Sequence, residues 1–185
     1  MFHITIISSS VRIDRRSHRV ALFFKDYLET NQIATAEILD LKEYNFPIFE
    51  ERLSKLQDPL PKALEFSQKV KDADGVIIVT PEYNGGYPPA LKNAVDLLYS
   101  ELYHKPVGIS TVSDGIFGGT QVITSLQFSL WKMRAWTIPA MFPNPSVQDL
   151  YDENGNPLDQ GVNQRAKLFI KELLWCMEAA AKMQK

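Results

Sequence analysis

Five short apolar runs rich in β-branched residues alternate along this chain with five stretches whose apolar residues recur at helical spacing. Few architectures absorb such a pattern. The runs predict strands at His3–Ile7, Ala36–Leu39, Val76–Val79, Val107–Thr111 and Thr137–Ala140. The striped stretches predict helices over Ser17–Glu29, Pro61–Lys71, Pro89–Leu98, Gly119–Arg134 and Val162–Met183. In the fourth helix Val122, Leu126, Leu130 and Met133 mark the buried side; in the fifth, Val162, Ala166, Phe169, Leu173, Met177 and Ala180 do. A run such as Val76-Ile77-Ile78-Val79, apolar at every position, leaves no face for water, so helices must cover both sides of the sheet. The expectation is an α/β fold of three layers: a doubly wound, five-stranded parallel sheet in the order 2-1-3-4-5. In that order the winding reverses between strands one and three, and ligands bind beside the loops that leave such a switch point.

At 185 residues the chain is long enough for a full α/β core, and we expect one domain spanning residues 1–185. Its 45% apolar and 23% charged content is that of an ordinary globular protein. A net charge of -2 gives no broad electrostatic footing for nucleic acid or a membrane surface. The apolar runs are too short to span a bilayer, and Met1-Phe2-His3 opens straight into a strand, so a cytoplasmic location is expected. The single cysteine, Cys176, sits in a helical pattern and is read as a packing residue of a protein in a reducing compartment. Trp131, Trp136 and Trp175 are likewise read as packing residues. Two segments, Asp40–Asp58 and Phe142–Gln160, lack regular patterning; the aromatics Tyr44, Phe46 and Phe49 of the first either border a site or pack on the sheet. Asp152-x-Asn154-x-Asn156 opens like a calcium loop, but Pro157 and Asn163 stand where glycine and glutamate are required, and no metal is expected. His3, His18 and His104 have no metal-ligand spacing, and nothing in the chain reads as a nucleophile elbow.

Three strand-to-helix connections carry chemistry. The first strand is followed by Ser8-Ser9-Ser10-Val11-Arg12 and then Ile13-Asp14-Arg15-Arg16-Ser17, where a helix begins. Hydroxyls and guanidinium groups beside helix-start N–H groups suit one phosphate, although Ser17 as a simple N-cap explains the same residues. The third strand leads into Pro81-Glu82-Tyr83-Asn84-Gly85-Gly86-Tyr87-Pro88-Pro89. Adjacent glycines let a flat ring lie close to the backbone, with Tyr83 and Tyr87 offering aromatic surface beside it; Asn-Gly also favours a plain tight turn. The fourth strand leads into Ser113-Asp114-Gly115-Ile116-Phe117-Gly118-Gly119, which is either a ligand-contacting loop at a helix start or a glycine-rich turn.

Pro-Glu-Tyr-Asn-Gly at 81–85, followed by Pro-x-x-Leu-Lys-Asn-Ala at 88–94, resembles the flavin loop of the NAD(P)H-dependent FMN reductase family. That flavodoxin-like group includes quinone, chromate and azo-dye reductases. Its first loop commonly reads Gly-Ser-x-Arg-x-x-Arg-x-Ser-x-x-Val-Ala, and Ser9 through Ala21 is similar to it in register without a gap, with Ser9 in place of the usual glycine. The resemblance implies that Ser10, Arg12 and Ser17 hold the phosphate of FMN, with Arg15 or Arg16 near the phosphates of NADPH or NADH. It implies further that Pro81, Glu82, Tyr83, Asn84 and Gly85, and next to them Gly86, contact the isoalloxazine. The family has a comparable Gly-Gly before its fourth-strand helix, so Ser113, Gly115, Gly118 and Gly119 are further candidate contacts.

The activity so implied is that of an FMN-dependent NAD(P)H oxidoreductase. Hydride passes to flavin N5 and two electrons then go to a quinone, free flavin, azo compound or metal oxyanion; no protein side chain is required as a catalytic group. The competing reading is a flavodoxin-type electron carrier without turnover of its own, whose usual Thr-Gly-x-Thr loop and acidic surface this chain lacks. The family also implies a homodimer or dimer-based tetramer, with Leu97-Leu98-Tyr99 and Leu102-Tyr103 as the expected apolar pairing surface.

Overall fold

The computed structural model describes residues 1–183; Gln184 and Lys185, counted in the expected domain, lie outside the described residues. Strands β1 (His3–Ser8), β2 (Thr35–Asp40), β3 (Gly75–Pro81), β4 (Pro106–Val112) and β5 (Trp136–Asn144) form one sheet in the order β2-β1-β3-β4-β5. Every neighbouring pair is parallel. The helices are α1 (Ser17–Thr30), α2 (Leu41–Tyr44), α3 (Pro61–Asp72), α4 (Pro89–Leu97), α5 (Gln121–Lys132) and α6 (Gln160–Met183).

Alternation along β3 explains the three layers, because successive side chains of a strand point to opposite faces. Ile77 and Val79 join Phe24 of α1 and Phe169 of α6 in one apolar cluster. Val76 and Ile78 join Phe66 of α3, Leu91 of α4 and Leu126 of α5 in the other. All four strand residues are fully buried, and burial of each such side chain is worth on the order of 1.5–3 kcal/mol. With both faces covered, only the loops at the strand ends are left for a ligand.

Several expectations need correction. β5 runs on to Asn144 rather than stopping at Ala140; Pro139 and Pro143 mask it in the sequence, and an edge strand tolerates them because one of its sides has no ladder partner. α2 was not expected, since a single turn has no periodicity; Asp40 caps it, its carboxylate accepting from Lys42 N at 3.0 Å. Tyr44 and Phe46 pack against Phe66 with ring centroids 5.5 and 5.3 Å away, so these two aromatics serve the core. Leu97, Leu98 and Leu102 are buried within the chain, leaving Tyr99 as the exposed residue of that expected apolar surface. Trp131 and Trp175, expected to pack inside, are mostly exposed. The Asp152 carboxylate closes a local turn, accepting from the backbone N–H groups of Asn154 and Asn156 at 2.9 and 2.8 Å. Among the described residues no helix is long and apolar enough to cross a membrane.

Candidate functional site

The loops after β1, β3 and β4 meet around an open groove of about 360 Å³ at the carboxyl end of the sheet. Of the residues singled out in the sequence, Ser10, Arg12, Arg15, Ser17, Pro81, Glu82, Tyr83 and Ser113 line it. Asn84, Gly85, Gly86, Gly115, Gly118 and Gly119 are not among the lining residues. Arg16, expected with Arg15 near the nicotinamide phosphates, lines it too, while Asp14, Val112, Asp114 and Val147 also line the groove and are not anticipated as wall residues. Arg16 and Asp114 form an ion pair at 3.1 Å that joins the first loop to the third, a pairing across 98 positions that no local pattern reveals.

At the start of α1 the residue in the N-cap position is Arg16, and no side chain caps the helix. The simple capping role for Ser17 is therefore not realised. Instead the Ser17 hydroxyl is buried with no hydrogen-bond partner among the described residues, a condition that costs on the order of 1–3 kcal/mol. No acidic residue stands in the first turn to offset the positive helix end. Beside it, four arginines are divided in their commitments. Arg15 makes a two-pronged ion pair with Asp40 and donates to the Ser10 carbonyl at 2.9 Å. Arg16 reaches Asp114, and Arg19 donates to the Tyr151 carbonyl at 3.1 Å. The Arg12 guanidinium has no partner among the described residues and stands exposed at the groove. An unsatisfied hydroxyl, an uncommitted guanidinium and an uncapped helix start are groups suited to an anion, and the phosphate of FMN fits them.

Ser9 stands where the family usually has glycine, and its backbone is not in the left-handed region. Its buried hydroxyl donates to Val79 O at 2.9 Å, tying β1 to β3, so serine is accommodated without strain.

The loop after β3 is a two-residue hairpin. Tyr83 N donates to Gly86 O at 2.8 Å and Gly86 N to Tyr83 O at 3.1 Å. Asn84 and Gly85, at φ +52° and +80°, form a turn of the I′ kind for which Asn-Gly is the favoured pair. The tight turn and the candidate loop are thus one object. The hairpin is tied to the first loop by Tyr83, whose hydroxyl lies 2.8 Å from Ser10 Oγ. At its tip, a side chain added to Gly85 would meet nothing within 4 Å. Tyr87, expected beside a ring, instead bonds Ser129 of α5 at 3.0 Å and packs on the α4–α5 side.

The loop after β4 uses its glycines differently. Gly118 and Gly119 have φ of +61° and +74°, which also explains why α5 begins at Gln121 and not at Gly119. A Cβ on Gly119 would lie 2.9 Å from Val112 O, and one on Gly118 2.9 Å from Pro145 N. Ser113 donates to Gly115 O at 3.1 Å, closing the loop on itself.

A second, more apolar groove of about 260 Å³ lies between the 46–60 segment and Leu97, and shares no lining residue with the first. Its wall is pinned by Asn93, which accepts from Phe49 N at 2.6 Å and donates to Pro47 O at 2.7 Å. That gives the asparagine of the Leu-Lys-Asn-Ala motif a holding role.

Comparison with known proteins agrees with this geometry. Residues 2–148 match the family described as NADPH-dependent FMN reductase. The chain belongs to that family and is an oxidoreductase, with FMN as cofactor and a reduced nicotinamide as electron donor. It is 32% identical over 171 residues to an NADPH azoreductase of a Bacillus species, a match covering 90% of this chain and 92% of that protein. It is 33% identical over 135 residues to the quinone reductase of Escherichia coli K12, covering 69% of each. The flavoenzyme NAD(P)H:(acceptor) oxidoreductase FerB of Paracoccus denitrificans has the same fold, with a TM-score of 0.74 at 20% identity and 98% of each chain covered. The flavodoxin-like architecture is thereby established.

Proposed function

We propose that this chain takes hydride from NADPH or NADH onto FMN held in the groove and delivers two electrons to a small acceptor: a quinone, free flavin, azo compound or metal oxyanion. The observation that carries the reading is the buried, unpartnered Ser17 hydroxyl at the uncapped start of α1, beside the free Arg12. When bound, FMN supplies the hydride-accepting and electron-donating chemistry. The protein binds and orients. Ser10, Arg12 and Ser17 hold the phosphate, and the Glu82–Gly86 hairpin supports the ring, with open space at Gly85 for its close approach. Quinone and azo compounds enter the acceptor class because the relatives' names carry them. The test is a titration of apoprotein with FMN, followed by anaerobic NADPH or NADH and a panel of acceptors. Rapid bleaching of the flavin, reversed by a two-electron acceptor, supports the reading; bound flavin that neither nicotinamide reduces overturns it in favour of a carrier.

A pairing of two subunits belongs to the same proposal, on a different surface from the one expected. Phe128 and Trp131 of α5 pack against each other at 5.7 Å while 61% and 65% exposed, and Ile116 and Phe117 of the loop after β4 are exposed as well. Exposed aromatic surface of this kind on α5 suits a second copy. Light scattering of the wild type and of Trp131→Glu tests it: a dimer is expected for the first and a monomer for the second. A cytoplasmic setting fits the buried thiol of Cys176.

A further inference from the structure

Asp40 lies at the carboxyl end of β2, outside every motif recognised in the sequence, and its side chain is only 6% exposed. A buried carboxylate near a phosphate site repels the ligand unless it is neutralised. Here Arg15, itself 12% exposed, closes on it with both terminal nitrogens. The same Arg15 donates to the Ser10 carbonyl at 2.9 Å, while Ser10 Oγ faces Tyr83 at 2.8 Å. Asp40 also accepts from Lys42 N at the start of α2, and His18 Nδ1 stands 3.7 Å from it. One carboxylate thus ties the end of β2, the first loop and the start of α2 together.

Resting on the reading of the groove as a phosphate site, we propose that Asp40 is a positioning residue. Through Arg15 it fixes the Ser10 peptide, and with it the donors that face the phosphate. The physical reason lies in the Ser10 carbonyl. Turned into the groove, that oxygen opposes an anion; held by Arg15, it stays out of the phosphate's way. A bidentate guanidinium restrained by a buried carboxylate is far stiffer than one free to swing, so the loop is set before the ligand arrives. Arg15 on this account does not bind phosphate. That role falls to Arg12, whose guanidinium is uncommitted among the described residues.

The alternative, in which Arg15 leaves Asp40 to grip the phosphate, predicts the opposite sign. The test compares binding of FMN and of riboflavin, which lacks the phosphate, to wild-type apoprotein and to Asp40→Asn. We expect Asp40→Asn to lower the preference for FMN over riboflavin by about tenfold, the effect of losing one hydrogen bond to a charged group, with riboflavin affinity unchanged. An unchanged preference overturns the proposal by showing that the tie to Asp40 does not set the phosphate donors, and an increased one overturns it by showing that a released Arg15 serves the phosphate itself. If Asp40→Asn does not fold, Arg15→Lys decides. Lysine keeps the charge but replaces the two-pronged clamp on Asp40 with a single nitrogen on a shorter, more flexible stem, so the preference falls if Arg15 positions the loop and persists if it contacts phosphate as a charge. A wild type that binds FMN no better than riboflavin overturns the phosphate reading itself, and this proposal with it, before any substitution is made.

Discussion

The loops after β1 and β4 both run from the carboxyl end of a strand to the start of a helix; the first draws attention by its hydroxyls and arginines, the second by its glycines. In the β4 loop the conformational freedom of Gly118 and Gly119 is consumed by the backbone of Val112 and Pro145, and Ser113 is satisfied by Gly115. In the β1 loop the backbone is fixed from beneath by Arg15 and Asp40, while the Ser17 hydroxyl and the Arg12 guanidinium stay uncommitted. Because Thr111 in β4 also buries an unpartnered hydroxyl among the described residues, what sets the β1 loop apart is the unsatisfied hydroxyl beside an uncommitted guanidinium and an uncapped helix start, a better announcement of a ligand than a glycine. Glycine next to a helix start is as readily a packing requirement.

Stability measurements on glycine variants break or sharpen that contrast most directly. Gly119→Ala combines a left-handed backbone with a Cβ pressed on a carbonyl oxygen, and should cost about 3 kcal/mol or more. Gly85→Ala meets open space and should cost only about 1 kcal/mol, the penalty for alanine at positive φ. Thermal unfolding of the two apoproteins side by side reads the difference. Equal losses would mean that the β4 loop adjusts freely and that its glycines remain candidates for ligand contact.

In the β1 loop, Arg12→Ala should weaken FMN binding by roughly one to two decades, the range for a charge-assisted contact to phosphate. Arg19→Ala, in a residue committed to Tyr151 O, should weaken it far less. Equal losses in a fluorescence titration would show that the register of the loop is misread. Ser17→Ala should act in two directions at once. Removing a buried, unpartnered hydroxyl should leave the apoprotein about 1 kcal/mol more stable, while FMN affinity falls by a similar amount. A Ser17→Ala apoprotein that loses stability would show that the hydroxyl already has a partner.

The sequence made the fold readable because five buried strands cannot hide their apolar runs, and α1, α3, α4, α5 and α6 each bury one stripe. It misjudged β5, whose prolines read as a stop, and missed α2, a single turn held by one cap. Of the groove's wall, the two contiguous motifs pointed to Ser10, Arg12, Ser17, Pro81, Glu82 and Tyr83, because each motif lies in one unbroken stretch of chain. Asp40 escaped notice: its tie to Arg15 spans 25 positions and follows from strand order, not from spacing. The same holds for Asp114, whose partner Arg16 lies on another loop. The apolar surface at Leu97, Leu98 and Leu102 was misread because helical periodicity locates a stripe without saying whether a neighbouring element already covers it.

The smallest effect we expect also belongs to the β1 side, where His18 lies beside the positioning pair. Burial, and after it the charge of Arg15, pushes this imidazole below its ordinary 6.5, against the opposing pull of Asp40 and Glu43; Lys42 adds a further push downward. Its Nδ1 lies 3.0 Å from Ser8 Oγ. With the folded value depressed, the unfolded chain binds the proton first as pH falls below 6.5, so acid favours unfolding. The contribution is fully present above pH 6.5 and is lost progressively as pH falls toward the depressed value. The side chain is partly exposed, so the slope is shallow. Urea midpoints at neutral pH and in mild acid should fall more for the wild type than for His18→Gln. A wild type that gains stability relative to His18→Gln in acid would mean that attraction to Asp40 outweighs burial, and that the carboxylate is less completely neutralised by Arg15 than its two-pronged pairing implies.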